Sequence, residues 1–347
     1  MKKILMKGND ALGEGAVLAG CDAYFGYPIT PQNELTAYMA KRMADLGRVF
    51  IQAESELSAI NMVFGASVVG KRAMTSSSSP GISLKQEGIS YLAGCELPAV
   101  IVNVGRGGPG LGNIAGSQAD YFQATRGGGH GDYRTIVLAP SSVQEMFEFP
   151  FIAFDLADKY RNPVMILSDG VLAQMMEPVI IKEKKPNITD KPWALTGAKN
   201  RKPQRIVSLL MAEGALEEHN YKIEKKYKEI KENETMVETY ETNDADVIIV
   251  AFGTSARICK EVINTLRKTG IKVGLVRPIT LWPFPYGTLK ELSKIVKGFL
   301  VVEMNLGQMI EDVLLSNQYN TKVLFYGVPG GGIPKSDIIE RKVKEMI

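Results

Sequence analysis

A strand, a helix and a second strand follow one another in VFIQAESELSAINMVFGASVVGKRAMTSSSS, residues 49–79. Val49–Gln52 and Arg72–Ser76 are short runs that favour strands, and Glu56–Val69 between them has the length and the small or apolar residues of a helix. Two strands joined by a helix form the repeating unit of a parallel sheet. The segment therefore predicts an α/β fold.

The same alternation continues on both sides of this segment. The other predicted strands of the first half are Lys3–Met6, Asp22–Phe25, Ala99–Val104, Thr135–Leu138 and Val164–Ser168. The other predicted helices are Asp10–Ala19, Pro31–Met43, Ser83–Ala93 and Val143–Lys159. We expect residues 1–181 to form one domain, a parallel sheet covered by helices on both faces.

A basic connector and a charged helix come next, over residues 182–244. Residues 182–205 contain three prolines and eight Lys or Arg residues, which indicates an exposed linker or a cluster that grips a phosphate. In the helix that follows, Glu218 precedes Lys222 and Glu224 precedes Lys228 by four residues, so two ion pairs are expected. The helix has one narrow apolar stripe, which consists of Leu216, Ile223, Tyr227 and Ile230. Such a helix is suited to packing as a strap across another domain.

A second α/β unit is predicted for residues 245–347. ADVIIVAFGT, which starts at Ala245, is a buried strand and a turn, and a helix follows through Leu266. Further predicted strands are Gly298–Glu303 and Lys322–Tyr326, and further predicted helices are Gly287–Val296 and Gln308–Ser316. About 100 residues suffice for a separate domain.

The composition is that of a globular protein and excludes several classes of site. Of 347 residues, 45% are hydrophobic and 23% charged, and a net charge of +3 argues for neither nucleic acid nor membrane partners. The cysteines, at 21, 95 and 259, are too far apart in sequence for a disulfide framework, an iron–sulfur cluster or a thiolate zinc site. The apolar stretch before Lys7 is too short for a secretion signal, and no run approaches the roughly 20 apolar residues of a membrane span. We expect a cytoplasmic protein with no metal ligands of its own.

Candidate functional residues follow the ends of predicted strands. GRGGPG, Gly105–Gly110, formally matches a dinucleotide-binding motif, but no helix start and no later acidic strand end accompany it. Arg106 within it is either a solvated loop residue or a partner for a carboxylate. In RAMTSSSSPGISL, the serines and the free amides of a helix start suit a polar ligand group or form a plain loop.

Two further segments carry polar groups at the same expected edge. In FGYPITPQNEL, Thr30 followed by Pro31 is typical of a helix N-cap, and Tyr27–Ile29 forms the turn before it. In the segment 49–79, Glu54 and Glu56 lie two positions apart. From the residues alone, Glu56 is either a first-turn carboxylate behind Ser55 that faces the helix dipole or a functional acid.

Taken together, GYPITP, ESELSAINMVFGA, MTSSSSPGISLKQEG, IVNVGRGGP, VRPITLWPFP and VVEMNLGQ resemble, in order and over nearly the whole chain, the alpha subunit of the 2-oxoacid:ferredoxin oxidoreductases. The similarity is greatest to the branched-chain type, which acts on 3-methyl-2-oxobutanoate (2-oxoisovalerate). The resemblance implies a pyrimidine-type thiamine-diphosphate-binding domain, followed by a transketolase C-terminal-like α/β domain. Many relatives have a glycine where this chain has Ser79, which leaves the local cofactor contacts open.

The resemblance also implies partners and a reaction. A beta subunit would hold the diphosphate and Mg²⁺, gamma or ferredoxin-like subunits would carry the [4Fe-4S] clusters, and coenzyme A would be the co-substrate. The reaction would be oxidative decarboxylation of a 2-oxoacid to acyl-CoA and CO₂, with electrons passing to ferredoxin. The chain would then contain half of an active site.

Site roles follow from the same resemblance. Glu56 would bind the pyrimidine N1′ of thiamine diphosphate, in a pocket whose apolar walls (Leu57, Ile60, Val63 and Phe64) help the carboxyl to keep a proton near neutral pH. Thr30 would hydrogen-bond the substrate or the bound intermediate, and Arg106 would meet the carboxylate of the 2-oxoacid. The other expected cofactor contacts are Tyr27, Pro28, Ile29 and Ser78.

Three alternatives remain open at this point. A 2-oxoglutarate enzyme of the same family would need a second cation, for which Arg126 or Arg134 beside His130 is a candidate. A nicotinamide-dependent (NAD) dehydrogenase would use Gly105–Gly110. A scaffold subunit would use none of these residues for catalysis.

Overall fold

A computed structural model of the protein describes residues 2–181, 185–318 and 321–347. Lys182, Glu183 and Lys184, at the start of the predicted connector, lie outside the described residues. Strands of the first half are β1 (Lys2–Lys7), β2 (Ala23–Gly26), β3 (Val49–Gln52), β4 (Ala73–Ser77), β5 (Ala99–Gly105), β6 (Ile136–Leu138), β7 (Pro163–Asp169) and β8 (Met176–Ile181). Helices of the first half are α1 (Gly8–Leu18), α2 (Asn33–Asp45), α3 (Glu56–Val68), α4 (Ser79–Gly94), α5 (Tyr121–Arg126), α6 (Val143–Tyr160) and α7 (Gly170–Gln174).

The second half begins with the long helix α8 (Ala215–Asn233). Its strands are β9 (Val237–Tyr240), β10 (Val247–Val250), β11 (Val273–Pro278), β12 (Thr280–Trp282), β13 (Gly298–Glu303) and β14 (Lys322–Gly327). The remaining helices are α9 (Gly253–Lys268), α10 (Tyr286–Leu292), α11 (Met309–Ser316) and α12 (Ser336–Lys344). No helix within the described ranges is long and apolar enough to cross a membrane.

The larger sheet has seven strands, in the order β12-β6-β7-β5-β4-β2-β3. All its neighbouring strands are parallel except β12 and β6. The side chains of β4, β5 and β7 are buried throughout, as expected for parallel strands with helices on both faces. The predicted parallel-sheet α/β fold is confirmed.

Strand β1 was expected to belong to this sheet, and that expectation is wrong. It pairs instead with β8 in a separate antiparallel ribbon, with Ile4 opposite Val179. A central parallel strand needs a nearly continuous apolar run. The flanking lysines of β1 and the exposed side chain of Leu5 are incompatible with burial on both faces.

A second sheet, in the order β14-β13-β10-β11-β9, contains the strands predicted for the C-terminal unit. The chain then leaves this sheet after β11 and adds β12 to the edge of the first sheet. Residues of the C-terminal half therefore complete both sheets.

Helix α8 lies across the first half of the chain, as its stripe predicts. Ile223, Tyr227 and Ile230 are buried, whereas Leu216 is 51% exposed and does not belong to the stripe. The pair Glu224–Lys228 forms at 3.8 Å. Lys222 forms an ion pair with Glu96, in the loop after α4, rather than with Glu218. This ion pair joins α8 to the first half of the chain.

Candidate active site

The carboxyl ends of four adjacent strands bring the predicted site residues to one edge of the seven-stranded sheet. In sheet order these strands are β3, β2, β4 and β5. Glu56 follows β3, Tyr27–Thr30 follows β2, Ser78 follows β4, and Arg106 follows β5. Ligands of open α/β sheets bind at this edge.

Glu56 is a buried carboxylate in the first turn of α3. Ser55 caps that helix, because its Oγ accepts a hydrogen bond from the amide of Ser58 at 3.1 Å. Glu56 is 6% exposed, and within the described ranges no group is seen to donate a hydrogen bond to its carboxylate. Glu54, by contrast, is exposed and accepts a hydrogen bond from the hydroxyl of Ser58. A buried carboxylate without a donor has its acceptor capacity available for a ligand.

A glycine on the next helix permits the position of Glu56. A Cβ atom at Gly81 of α4 would lie 2.6 Å from Glu56 Oε1 and would overlap the hydroxyl of Ser77. Carbon and oxygen atoms do not approach so closely without repulsion, so only glycine leaves room for the carboxylate here.

The predicted apolar walls around Glu56 are only partly present. Ile60 and Val63 are buried and Phe64 is half-buried, but Leu57 is 47% exposed. Consecutive residues of an α-helix point about 100° apart, so Leu57 faces away when Glu56 faces inward. The expectation for Leu57 is therefore wrong.

A lysine that sequence reasoning missed lies on the inward face of α4. Lys85 is 0% exposed, and its Nζ donates to Thr75 Oγ1 at 2.7 Å and to the carbonyl of Ser76 at 2.9 Å. Burial lowers the pKa of Lys85 to about 7, and the nearby negative charge of Glu56 opposes that shift. The signal in the sequence was its spacing, four residues after Gly81, which places both residues on one helix face.

The serine run supplies hydroxyl groups at the same edge. The Oγ atoms of Ser77 and Ser78 are buried and have no hydrogen-bond partner. Such atoms are uncommon in native proteins and indicate a place where a polar ligand group can bind.

Ser79, the last residue of the serine run, connects two segments. Its Oγ accepts a hydrogen bond from the amide of Arg106 at 2.9 Å and donates to Asp120 Oδ2 at 2.6 Å. Asn103 also donates to Asp120 Oδ2, at 2.9 Å, and burial raises the pKa of Asp120. Asp120 and Asn103 were missed because only the folded chain brings them to Ser79.

Arg106 is buried and joins two loops. Its Nη1 donates to the carbonyl of Thr30 at 2.9 Å and its Nη2 to the carbonyl of Leu111 at 3.1 Å. Its Nε is buried without a partner. The guanidinium is therefore held in place, and its Nε–H remains available for a ligand.

Thr30 is not the N-cap of α2, contrary to its predicted local role. Helix α2 begins at Asn33, with Gln32 at the N-cap position, and the hydroxyl of Thr30 accepts a hydrogen bond from Asn33 Nδ2 at 3.2 Å. Residues 27–30 form the turn between β2 and α2, in which Pro28 is exposed and Tyr27, Ile29 and Thr30 are half-buried.

The alternative cation candidates have other partners. Arg126 pairs with Asp312 of α11 at 3.0 Å, and Arg134 donates to the carbonyl of Arg126 at 3.3 Å. His130 is exposed and packs edge-on against Tyr91. Neither arginine is placed as a free cation beside Arg106.

The glycine motif at 105–110 does not have the geometry of a dinucleotide site. The chain from Gly107 to Gly116 is irregular, and the next helix, α5, begins only at Tyr121. Such a motif needs its last glycine to open a helix, whose N-terminus meets the phosphates. The structure therefore gives the NAD alternative no support.

Comparisons with known protein families identify the proteins that this chain is similar to. Residues 14–244 match the family described as pyruvate flavodoxin/ferredoxin oxidoreductase, thiamine diphosphate-binding, and residues 245–338 match pyruvate:ferredoxin oxidoreductase core domain II. The ketoisovalerate oxidoreductase subunit VorB of Methanothermobacter marburgensis is 50% identical over 99% of this chain and 97% of its own length. The 2-oxoglutarate synthase subunit KorA of Methanocaldococcus jannaschii is 37% identical over 99% of this chain and 100% of its own length.

Solved structures show the same fold. The 2-oxoglutarate:ferredoxin oxidoreductase from Magnetococcus marinus, solved with 2-oxoglutarate, coenzyme A and succinyl-CoA bound, matches with a TM-score of 0.88 and 29% identity over 99% of this chain. This chain spans 65% of that one. A split-gene transketolase, 16% identical with a TM-score of 0.63 over 98% of both chains, shares the fold. With these matches over nearly its whole length, and with a buried acid and a buried arginine at the sheet edge, the chain belongs to the 2-oxoacid:ferredoxin oxidoreductase family.

Proposed function

We propose that this chain is the alpha subunit of an enzyme that oxidatively decarboxylates a branched-chain 2-oxoacid. The reaction consumes the 2-oxoacid, coenzyme A and an oxidised two-electron acceptor, and releases acyl-CoA, CO₂, a proton and the reduced acceptor. The observation that carries the proposal is the buried carboxylate of Glu56, which has no donor in the described structure and lies beside the unpartnered hydroxyl of Ser77.

The residues present fit thiamine diphosphate. Bound thiamine diphosphate supplies the carbon nucleophile and the electron sink that decarboxylation of a 2-oxoacid requires. Glu56 would hold or share a proton at N1′ of its pyrimidine ring. The free hydroxyl of Ser78 and the turn Tyr27–Pro28–Ile29 would contact the cofactor at the same edge.

Arg106 and Thr30 would position the substrate. The free Nε–H of Arg106 suits a carboxylate, because a guanidinium forms charge-assisted hydrogen bonds with that group. The Thr30 hydroxyl would bind the substrate from the neighbouring turn. Both residues are joined through the Arg106–Thr30 contact, so they would orient the substrate together.

The remaining parts of the enzyme belong to partner subunits in this proposal. The sequence has no GDG…N motif, so a beta subunit would hold the diphosphate and Mg²⁺. The three cysteines are free and buried, so gamma or ferredoxin-like subunits would carry the [4Fe-4S] clusters that reduce ferredoxin. We assign the cofactor site to a domain at 1–181, the linker and strap helix to 182–244 and the transketolase C-terminal-like domain to 245–347, in a cytoplasmic enzyme.

The branched-chain substrate is favoured over 2-oxoglutarate by two observations. Identity is 50% to a ketoisovalerate oxidoreductase subunit and 37% to a 2-oxoglutarate synthase subunit. Arg126, a candidate for binding a second carboxylate, is paired with Asp312. A panel of 2-oxoacids assayed with a viologen dye on the co-expressed complex tests this choice, and a preference for 2-oxoglutarate would contradict it.

The role of Glu56 is tested by Glu56→Gln in the co-expressed complex, with Glu54→Gln as the matched control. We expect Glu56→Gln to lower kcat by roughly 100-fold or more, the usual contribution of a positioned acid or base. The exposed Glu54 should tolerate the same change within about two-fold. Retention of most activity by Glu56→Gln would refute the role assigned to Glu56. Turnover by the isolated chain with thiamine diphosphate, Mg²⁺ and coenzyme A would refute the proposal that this chain contains only half of the active site.

A further inference from the structure

Three loops meet beside Arg106, at the carboxyl ends of strands from both sheets. They are residues 107–116 after β5, residues 304–308 after β13 and residues 328–334 after β14. The sequence of these loops contains no Asp, Glu, Lys, Arg or His. Charged side chains are the ones most often exposed to water. Three neighbouring loops without any therefore indicate a surface that contacts something other than water.

Hydrogen bonds hold the three loops against one another. Asn113 Nδ2 donates to the carbonyl of Gly330 at 2.8 Å, which joins the first loop to the third. The amide of Gln118, two residues after the first loop, donates to the carbonyl of Met304 at 3.0 Å, which joins it to the second. The three loops therefore form one surface, to which both halves of the chain contribute.

This surface exposes four large aliphatic side chains. Leu111 is 82% exposed and Leu306 is 80% exposed, and Ile114 and Ile333 are exposed as well. A single exposed aliphatic side chain is ordinary, but a group of them on adjoining loops without charges marks an interaction site. The cores of protein interfaces are depleted of charged residues in the same way. We call Leu111, Ile114, Leu306 and Ile333 the aliphatic rim.

The aliphatic rim borders the site proposed for the substrate. The carbonyl of Leu111 accepts a hydrogen bond from Arg106 Nη2 at 3.1 Å. Arg106 also pairs with Gly116 in an antiparallel bridge, so the first loop starts and ends at this arginine. A protein that binds the rim therefore lies against the loop that holds Arg106.

We propose that the aliphatic rim is a docking surface for the beta subunit, the partner that would hold the diphosphate and Mg²⁺. The inference rests on the proposed function, in which this chain contains only half of the active site. That partner has to approach the carboxyl edge of the larger sheet, because Glu56 and Arg106 lie there. The rim adjoins this edge and is uncharged, so the facing surface of the beta subunit would be apolar as well.

A second copy of this chain does not meet the same requirement. It would bring another Glu56 and another Arg106 to the edge, and the sequence has no GDG…N motif for the diphosphate. Two copies that faced each other across the rim would occupy the edge of the half-site without completing it.

Cross-linking identifies the protein that covers the rim. In the co-expressed complex, we expect Leu306 replaced by the photoreactive p-benzoylphenylalanine to cross-link to the beta subunit. The same replacement of the exposed Ile295 is the matched control, because Ile295 precedes β13 and Leu306 follows it, at the opposite edge of the second sheet. A cross-link from position 306 to a second copy of this chain or to an iron–sulfur subunit would overturn the proposal. So would a yield of beta-subunit product no higher than from position 295.

Leu306→Asp and Ile114→Asp measure what the rim contributes to assembly. Each places a carboxylate in an interface that would be apolar on both sides, and burial of an unpaired charge is unfavourable. In sedimentation of the complex over a dilution series, we expect each to raise the Kd for the beta subunit by roughly ten-fold or more. Ile295→Asp should change that Kd by less than about two-fold. The three side chains are exposed, so urea unfolding of the full chain should keep its midpoint in all three variants.

The outcomes separate this inference from the proposed function, because neither measurement depends on turnover. If complexes with Leu306→Asp and Ile114→Asp dissociate no more readily than the complex with Ile295→Asp, the docking surface is refuted, whatever the activity of the enzyme. If Glu56→Gln retains activity while the cross-link and the weakened assembly are observed, the role of Glu56 fails and the docking surface is supported.

Discussion

Arg106 Nη1 donates a hydrogen bond to the carbonyl oxygen of Thr30 at 2.9 Å, although 76 residues separate the two in the chain. Arg106 follows β5 and Thr30 follows β2, and only β4 lies between these strands in the sheet. The contact joins the two turns that would bind the substrate. The conformation of each turn therefore depends on the position of the other.

Arg106→Lys tests this coupling. A lysine has no planar fork and cannot make the same set of bonds to Thr30, Leu111 and a carboxylate. We expect kcat/KM for the 2-oxoacid to fall by roughly 10- to 100-fold, the effect of losing a charge-assisted hydrogen bond. Steady-state kinetics at saturating cofactor measure it. The exposed Arg134 provides the control, Arg134→Lys, and equal kinetics of the two variants would contradict the prediction.

Gly81→Ala tests the close approach of α4 to Glu56. The new Cβ atom would overlap Ser77 Oγ and lie 2.6 Å from Glu56 Oε1, so the carboxylate must move. We expect affinity for thiamine diphosphate to fall at least about ten-fold, equivalent to roughly 1.4 kcal/mol, by calorimetry on the complex.

Gly65→Ala is the matched control, because no atom lies within 4 Å of a Cβ atom at this position of α3. It should leave cofactor affinity unchanged and stabilise the helix by about 0.5–1 kcal/mol. Unchanged affinity in Gly81→Ala would show that Glu56 does not need its observed position.

Thr254→Val tests the contact between the two halves of the chain. Thr254 Oγ1, in the first turn of α9, donates to Asp169 Oδ1 at 2.8 Å, and Asp169 ends β7. Burial raises the pKa of Asp169, and the bond from Thr254 opposes that shift. Losing the donor should lower the free energy of unfolding by about 1–3 kcal/mol.

Urea unfolding of the full chain measures this change. Thr265→Val on the same helix is the control, since the exposed Thr265 only bonds the carbonyl of Glu261 at 3.1 Å. Its effect should stay within about 0.5 kcal/mol. Equal effects of the two substitutions would mean that the Asp169 contact does not stabilise the fold.

Lys85 predicts a pH dependence of stability. Its pKa is lowered by burial from 10.5 to about 7, so between these values the unfolded chain binds more protons at this residue than the folded chain. The free energy of unfolding should therefore rise with pH from about 7 to 10.5, and the destabilisation is complete below pH 7. The slope from one proton is at most about 1.4 kcal/mol per pH unit.

Lys85→Met removes this contribution. Urea unfolding of the wild-type and variant chains at pH 7, 8 and 9 should give a flatter dependence for the variant. Parallel dependences would show that Lys85 keeps an ordinary pKa in the folded chain.

Sequence patterns predicted the order of elements because the signals for strands and helices are local. Val49–Gln52 and Gly298–Glu303 were predicted with the observed bounds, and α3 begins at Glu56 behind the expected cap, Ser55. Boundaries were less accurate where a turn competes with a helix, as at Thr30 and the start of α2. The segment Thr280–Trp282 joins the sheet of the other half, which no local pattern specifies.

By itself, the sequence determined the α/β class, the family, and the placement of Glu56 and Arg106 just after predicted strands, because strand ends can be read from residue patterns along the chain. Only the tertiary structure decided that Lys85 is buried against β4, that Ser79 connects Arg106 to Asp120, and that Arg126 is paired with Asp312. Each of these contacts depends on how helices pack against the sheet. Packing places side chains from distant segments within bonding distance, and neither their spacing nor their type reveals that distance in advance.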